Sequence, residues 1–214
     1  MKKILLLILT LFLFFACYII YQVTDNDEIN YVLIGDELVN NPYIIRNEVY
    51  KNDFVNNDYR IIDLLRIIKY NEEMLIDKKV VSIHQQLQEA DILVVSIGTG
   101  EINSKLLGNT KDKYAYVNKF IYDLKDLFKY LNKYSYKQIF FLGYDYLDNN
   151  KRDIINYLNM NVKKITKDNN ICFIDINKVV NKEGILIEKN GLFSINDDSY
   201  KKIYDFIVEN LENC

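Results

Sequence analysis

From Ile29 onward, short apolar runs alternate with longer segments in which apolar residues return every three or four positions, and this alternation constrains the fold more than any other feature. Tyr31 to Ile34, Ile92 to Ile97, Gln138 to Leu142 and Ile171 to Ile176 are short, rich in branched or aromatic side chains, and bounded by Gly, Asp or Asn. Continuous apolar runs of this kind suit strands buried on both faces of a parallel sheet. Glu48 to Val55 predicts an edge strand by a weaker pattern. Helices are predicted over Tyr59 to Tyr70, Val80 to Glu89, Tyr114 to Tyr134, Lys151 to Lys167 and Ser199 to Leu211. In the third of these, Val117, Phe120, Ile121, Leu124, Leu127, Phe128 and Leu131 return with a period near 3.6. Together the segments predict an α/β domain, a parallel sheet of about five strands between helical layers.

Ahead of this domain stands Met1-Lys2-Lys3 and then an apolar run from Ile4 to Val23. A helix of roughly 20 apolar residues matches the hydrocarbon thickness of a bilayer. The two lysines before it, and Asp25, Asp27 and Glu28 after it, orient such a helix with its amino terminus in the cytoplasm. Residues 1–23 are therefore expected to anchor the chain in the cell membrane with one pass, 24–30 to form a tether, and 31–214 to form the domain on the extracytoplasmic side. A cleavable signal peptide would have a shorter core and a small-residue cleavage site. Ala16-Cys17 resembles a lipoprotein site, but Phe14 and Phe15 are bulky and the apolar run continues past Cys17. Of the other two cysteines, Cys172 falls in an apolar strand and Cys214 is the last residue. A bridge between them is conceivable outside the cell, and a buried free thiol with a frayed terminal one is the simpler expectation.

With 214 residues and a net charge of −3, the chain suits one packed domain plus an anchor, and it lacks the basic stripe a nucleic-acid partner would demand. No cofactor motif stands out. Gly98-Thr99-Gly100-Glu101 lacks the Gly-Lys-Ser/Thr ending that grips phosphate and magnesium. The tyrosines fall mostly at core spacing on helices, which favours packing over carbohydrate stacking.

In an open parallel sheet, ligands meet the carboxyl ends of the strands. Four segments matter there: Gly35-Asp36-Glu37 after the first strand, Asn56-Asn57-Asp58-Tyr59-Arg60, Ser96-Ile97-Gly98-Thr99-Gly100-Glu101, and Asn190 to Tyr200. In order and spacing they resemble the motif blocks of the SGNH/GDSL hydrolases, over nearly all of Tyr31 to Leu211. The resemblance implies an SGNH-hydrolase-like, flavodoxin-like three-layer sandwich. In that family a serine after the first strand attacks an acyl carbon. Backbone N–H groups with a Gly and an Asn hold the oxyanion, and a C-terminal Asp-x-x-His supplies base and orienter.

At each of these places the chain departs from the family. Glu37 stands at the nucleophile position and Gly100 at that of the oxyanion Asn, whose loss costs on the order of 10²–10³ in rate where tested. The middle block lacks the oxyanion Gly. Gly191 and Ser194 fall at the Asp and His positions, or Asn190 and Phe193 if the alignment shifts by one residue. The one histidine, His84, precedes the third central strand, where a surface role is expected.

With the apolar anchor, the departures from the family predict a catalytically inactive, membrane-anchored domain that binds or scaffolds at the cell envelope, with a glycan, a peptide or an envelope protein as partner. Asp36, Glu37, Glu101 and Asp145 are its candidate ligand-binding residues, all placed just beyond strand ends, with Glu37 expected to begin a helix whose dipole favours an anion. Two other readings stay open. Glu37 and Glu101 could act as an acid/base pair in a divergent esterase or glycan hydrolase, or the carboxylates could hold Ca²⁺ or Mg²⁺ in a cation-dependent binding domain.

Overall fold

A computed structural model describes residues 29–36, 38–41, 43, 50–76, 78–107, 112–145, 151–180, 186–189, 192–195 and 197–212. Strands β1 (Tyr31–Gly35), β2 (Tyr50–Val55), β5 (Ile92–Ser96), β6 (Gln138–Leu142) and β7 (Cys172–Ile174) form a five-stranded sheet in the order β2-β1-β5-β6-β7. Every neighbouring pair is parallel. Within the sheet this is the 2-1-3-4-5 order of flavodoxin-like folds.

Successive side chains of a strand point to opposite faces, and the two cores divide accordingly. Val32, Ile34, Leu93, Val95, Ile139 and Phe141 belong to one core, with helices α1 (Ile61–Tyr70), α2 (Ile83–Glu89), α4 (Lys113–Leu131) and α5 (Arg152–Asp168). Helix α3 (Thr99–Leu107) adds Ile102 and Leu106 to it. Leu33, Val94, Phe140 and Leu142 face the other side, covered by α6 (Asn177–Val180) and α7 (Asp197–Glu212) through Val179, Val180, Ile203 and Ile207. Double coverage explains why the central strands carry no polar alternation.

Two antiparallel hairpins were not anticipated. β3 (Glu73–Ile76) pairs with β4 (Lys79–Ser82), so the helix predicted from Val80 starts only at Ile83. Ser82 sets that start, because its hydroxyl accepts from the Gln85 N–H at 3.4 Å and caps α2. Met74 and Val81 pack toward the core while Leu75 and Val80 lie exposed, the alternation of a half-buried hairpin. The second hairpin joins β8 (Leu186–Lys189) to β9 (Leu192–Ile195) and takes up much of the segment that resembles the family's Asp-x-x-His block.

Smaller differences follow from capping and edges. α1 begins at Ile61, two residues later than predicted, where Asp63 accepts from the Arg60 N–H at 3.3 Å. Residues 38–40 form a hydrogen-bonded turn, with the Asn40 N–H donating to the Asp36 carbonyl at 3.0 Å, where a helix from Glu37 was expected. Cys172 is disulfide-bonded, which overturns the expectation of a free thiol in the strand. Residues 1–28, the proposed anchor and most of the tether, lie outside the described residues. No helix among those described is long and apolar enough to cross a membrane.

Candidate functional site

From β1 the chain passes to β2 on one side and later returns to β5 on the other, so the strand order reverses between β1 and β5. Open α/β sheets place their ligand crevice outside the carboxyl ends at such a point. Here it is built from a tight backbone crossing. Gly35, opposite Ser96 in register, has φ +127° and no room for a Cβ, which would collide with the Ser96 carbonyl. That contact lets the Asp36 N–H donate to the Ser96 carbonyl at 2.7 Å.

The Asp36 carboxylate is fully buried and spans the crossing. Its Oδ1 accepts from the Ser96 hydroxyl at 2.9 Å, and its Oδ2 from the Thr99 N–H at 2.6 Å. Thr99 is the first residue of α3, so the anion also sits at the positive end of that helix. Gly98 makes the turn possible: its φ is +85°, and a Cβ there would lie 2.5 Å from the Phe120 ring. Asp36 thus ties β1 to the start of α3, and its side chain is turned inward rather than toward a ligand.

Glu101, in the first turn of α3, carries the more open chemistry. Its Oε1 accepts from the Tyr116 hydroxyl of α4 at 2.8 Å, while its Oε2 is buried without a hydrogen-bond partner among the described residues. A carboxylate oxygen left that way is an acceptor awaiting a donor. Burial, followed by the hydrogen bond to Glu101, raises the Tyr116 phenol well above its ordinary value, so it remains a neutral donor. Arg60 adds a weaker field. Its guanidinium holds Asp63 through Nε at 2.8 Å and Nη2 at 3.0 Å, and that hydrogen bond depresses the Asp63 carboxyl. Exposed Gly100 and Asn57 lie beside Glu101, and a Cβ on Gly100 would meet only the Asn57 carbonyl at 3.7 Å.

The end of β6 is fixed by Tyr144, which is buried and donates its hydroxyl to the Ile97 carbonyl at 2.8 Å. Asn159 of α5 clamps its backbone, accepting from the Tyr144 N–H at 2.9 Å and donating to its carbonyl at 2.6 Å. Burial, and behind it the Asp36 and Glu101 charges, holds the Tyr144 phenol well above its ordinary value.

Of the four predicted ligand-binding carboxylates, the structure brings Asp36 and Glu101 to the same crevice in different roles. Asp145 follows β6 and is only 3 % exposed, and Glu37 lies outside the described residues. No group of three or more His, Cys, Asp or Glu able to hold a metal ion occurs among the described residues. Gly191 is also outside them. Ser194 sits on β9, its backbone paired opposite Ile187. Gly100, matched from the sequence to the oxyanion Asn, lies in the first turn of α3.

His84 is at the far edge of the sheet. Its Nε2 lies 2.7 Å from the Ile68 carbonyl in the last turn of α1, and its ring meets Tyr134 edge-on. Tyr134 lies between the end of α4 and the start of β6, hence at the amino-terminal edge of the strands. The imidazole is therefore on the opposite side of the sheet from Asp36. Sequence reasoning missed Tyr116, Tyr144 and Asn159, all of which build the crevice.

Several solved structures share this architecture. An acetylxylan esterase from Geobacillus stearothermophilus superposes with TM-score 0.61 at 15 % identity, covering 84 % of this chain and 92 % of its own. A lipase from a goat rumen metagenome gives TM-score 0.66 at 11 % identity, over 85 % of this chain and 96 % of its own. An α/β hydrolase from the Lake Arreo metagenome gives TM-score 0.60 at 11 % identity, over 84 % and 93 %. No protein-family model matches the sequence, and no curated protein matches it. The chain has an SGNH/GDSL-like esterase fold, and at 11–15 % identity the likeness to these structures is one of fold alone. Catalytic mutants of the acetylxylan esterase replace a serine, an aspartate and a histidine of that protein.

Proposed function

We propose that this chain is a ligand-binding domain without hydrolytic activity, made on an esterase fold and held at the outer face of a cell membrane by residues 1–23. Its ligand is a polyhydroxylated molecule, a glycan in the first instance, that donates a hydroxyl to Glu101. The observation that carries this reading is the separation of chemistry. The one imidazole of the chain is spent on the Ile68 carbonyl at the amino-terminal edge, while the switch-point crevice holds a carboxylate oxygen with no donor among the described residues. Acyl transfer by the usual route needs an imidazole within hydrogen-bond reach of a nucleophile, and a carboxylate at the nucleophile position has no proton to give up.

A fold neighbour named for acetylxylan makes acetylated xylo-oligosaccharides the first glycans to try. The domain should bind such a glycan without releasing acetate, and Glu101→Ala should weaken binding by about 10–100-fold, the worth of one hydrogen bond to a charged group. Acetate release that stays proportional to protein concentration would overturn the proposal. The disulfide at Cys172 supports the extracytoplasmic placement, because such bonds persist in oxidising compartments. Protease added to intact cells should remove the domain from the membrane fraction, and a chain protected in the cytosol would contradict the anchoring.

A further inference from the structure

Beside edge strand β7, helices α5 and α6 and the end of β7 border an open hollow of about 460 Å³. Its charged lining is Arg152, Lys163 and Lys178 against the single carboxylate of Asp175, in a chain whose net charge is −3. Asp175 is engaged locally, its Oδ1 accepting from the Asn177 N–H at 3.2 Å. Lys163 and Lys178 have no ion-pair partner among the described residues. The Asn156 amide, on the same wall, also makes no hydrogen bond among them.

Two ammonium groups and an amide line one hollow and have no partner among the described residues, so all three can donate to a guest there. We propose that this hollow binds an oxyanion of the phosphate type, either free or carried on a larger molecule. Ammonium groups act on phosphate as compact point charges, and an uncommitted amide adds a directional donor. The floor beside these donors is fixed by hydrogen bonds and packing. Asn159 is held by both backbone groups of Tyr144, and the Phe173 ring lies against Gly143, where a Cβ would come within 2.5 Å of it. The hollow shares Asn159 with the framework behind the Glu101 crevice, while Glu101 itself is not among its lining residues.

The test is calorimetric titration of the full-length protein in zwitterionic detergent with inorganic phosphate, glycerol 1-phosphate and dimethyl phosphate in parallel. The free ion, the monoester and the diester distinguish the sources of the anion. Saturable binding of at least one probe is expected, weaker as salt rises from about 0.05 to 0.2 M. Lys163→Gln with Lys178→Gln should weaken it at least ~10-fold. Both lysines are exposed, so the doubly substituted protein should keep its circular dichroism and melting temperature. Glu101→Gln should leave phosphate binding unchanged, which separates this site from the proposed glycan site. Absence of binding by all three probes up to about 10 mM, or equal binding by the lysine variant, would overturn the inference.

Discussion

Replacing Asp36 tests whether the crevice is held together by the carboxylate that spans it. In Asp36→Ala the Ser96 hydroxyl and the Thr99 N–H lose their acceptor at a fully buried position. Hydrogen bonds to a charged group are worth about 1.5–3 kcal/mol each. The gross loss is thus about 3–6 kcal/mol, offset in part because the variant no longer desolvates a carboxylate. A net destabilisation of about 2–4 kcal/mol results, and with a slope near 2 kcal/mol/M the urea midpoint falls by roughly 1–2 M. Asp36→Asn should be milder. Its carbonyl oxygen can keep the Thr99 N–H while its amide donates to a rotated Ser96 hydroxyl, for a cost of about 1 kcal/mol. Urea unfolding followed by circular dichroism, with slopes compared across variants, measures both. An Asp36→Ala protein within about 0.5 kcal/mol of wild type, inside the scatter of ordinary surface changes, would refute the reasoning, as would an Asn variant as unstable as the Ala one.

Three further outcomes are expected. Dithiothreitol should lower the melting temperature of the wild type and not that of Cys172→Ser, with a loss of about 2–5 kcal/mol common to both routes. Gly100→Asn should fold and change stability by less than about 1 kcal/mol, since the added Cβ meets only an ordinary contact in a helix where Gly is disfavoured, and it should gain no esterase activity. Burial raises the Tyr136 and Tyr144 phenols above their ordinary value of 10.0, so their contribution to stability is complete below about pH 10 and is lost as pH rises beyond it. Absorbance at the phenolate band should show these tyrosines ionising only together with unfolding; a smooth titration in the folded protein would contradict their burial.

The central strands were legible because they are buried on both faces. Gln138–Leu142 appears with its predicted bounds, and Ile92–Ser96 differs from prediction by one residue. The hairpin at Glu73–Ser82 was not, because only alternate residues touch the core and Val80-Val81 runs straight into a helix. In the second hairpin the physical signal was present: Asn190-Gly191 between apolar segments favours a tight antiparallel connection.

At the site, Asp36 and Glu101 could be found from their positions after strands. Their roles could not, since which carboxylate turns inward depends on the crossing of Gly35 with Ser96. Tyr116 read as one more residue of an amphipathic helix, and its partner Glu101 is on another helix. Tyr144 and Asn159 act through backbone groups, which no side-chain motif reports. The bridge at Cys172 was open to doubt for the same reason, because pairing depends on three-dimensional proximity.

An esterase architecture without a serine and imidazole machine offers a fluorophosphonate no nucleophile to label. Intact-mass analysis of the full-length protein after incubation with a fluorophosphonate, alongside an active esterase of the same fold, tests this most directly. The unchanged mass of this chain beside a stoichiometric adduct on the control is the predicted result. A covalent adduct on this chain, on any side chain, would contradict the claim.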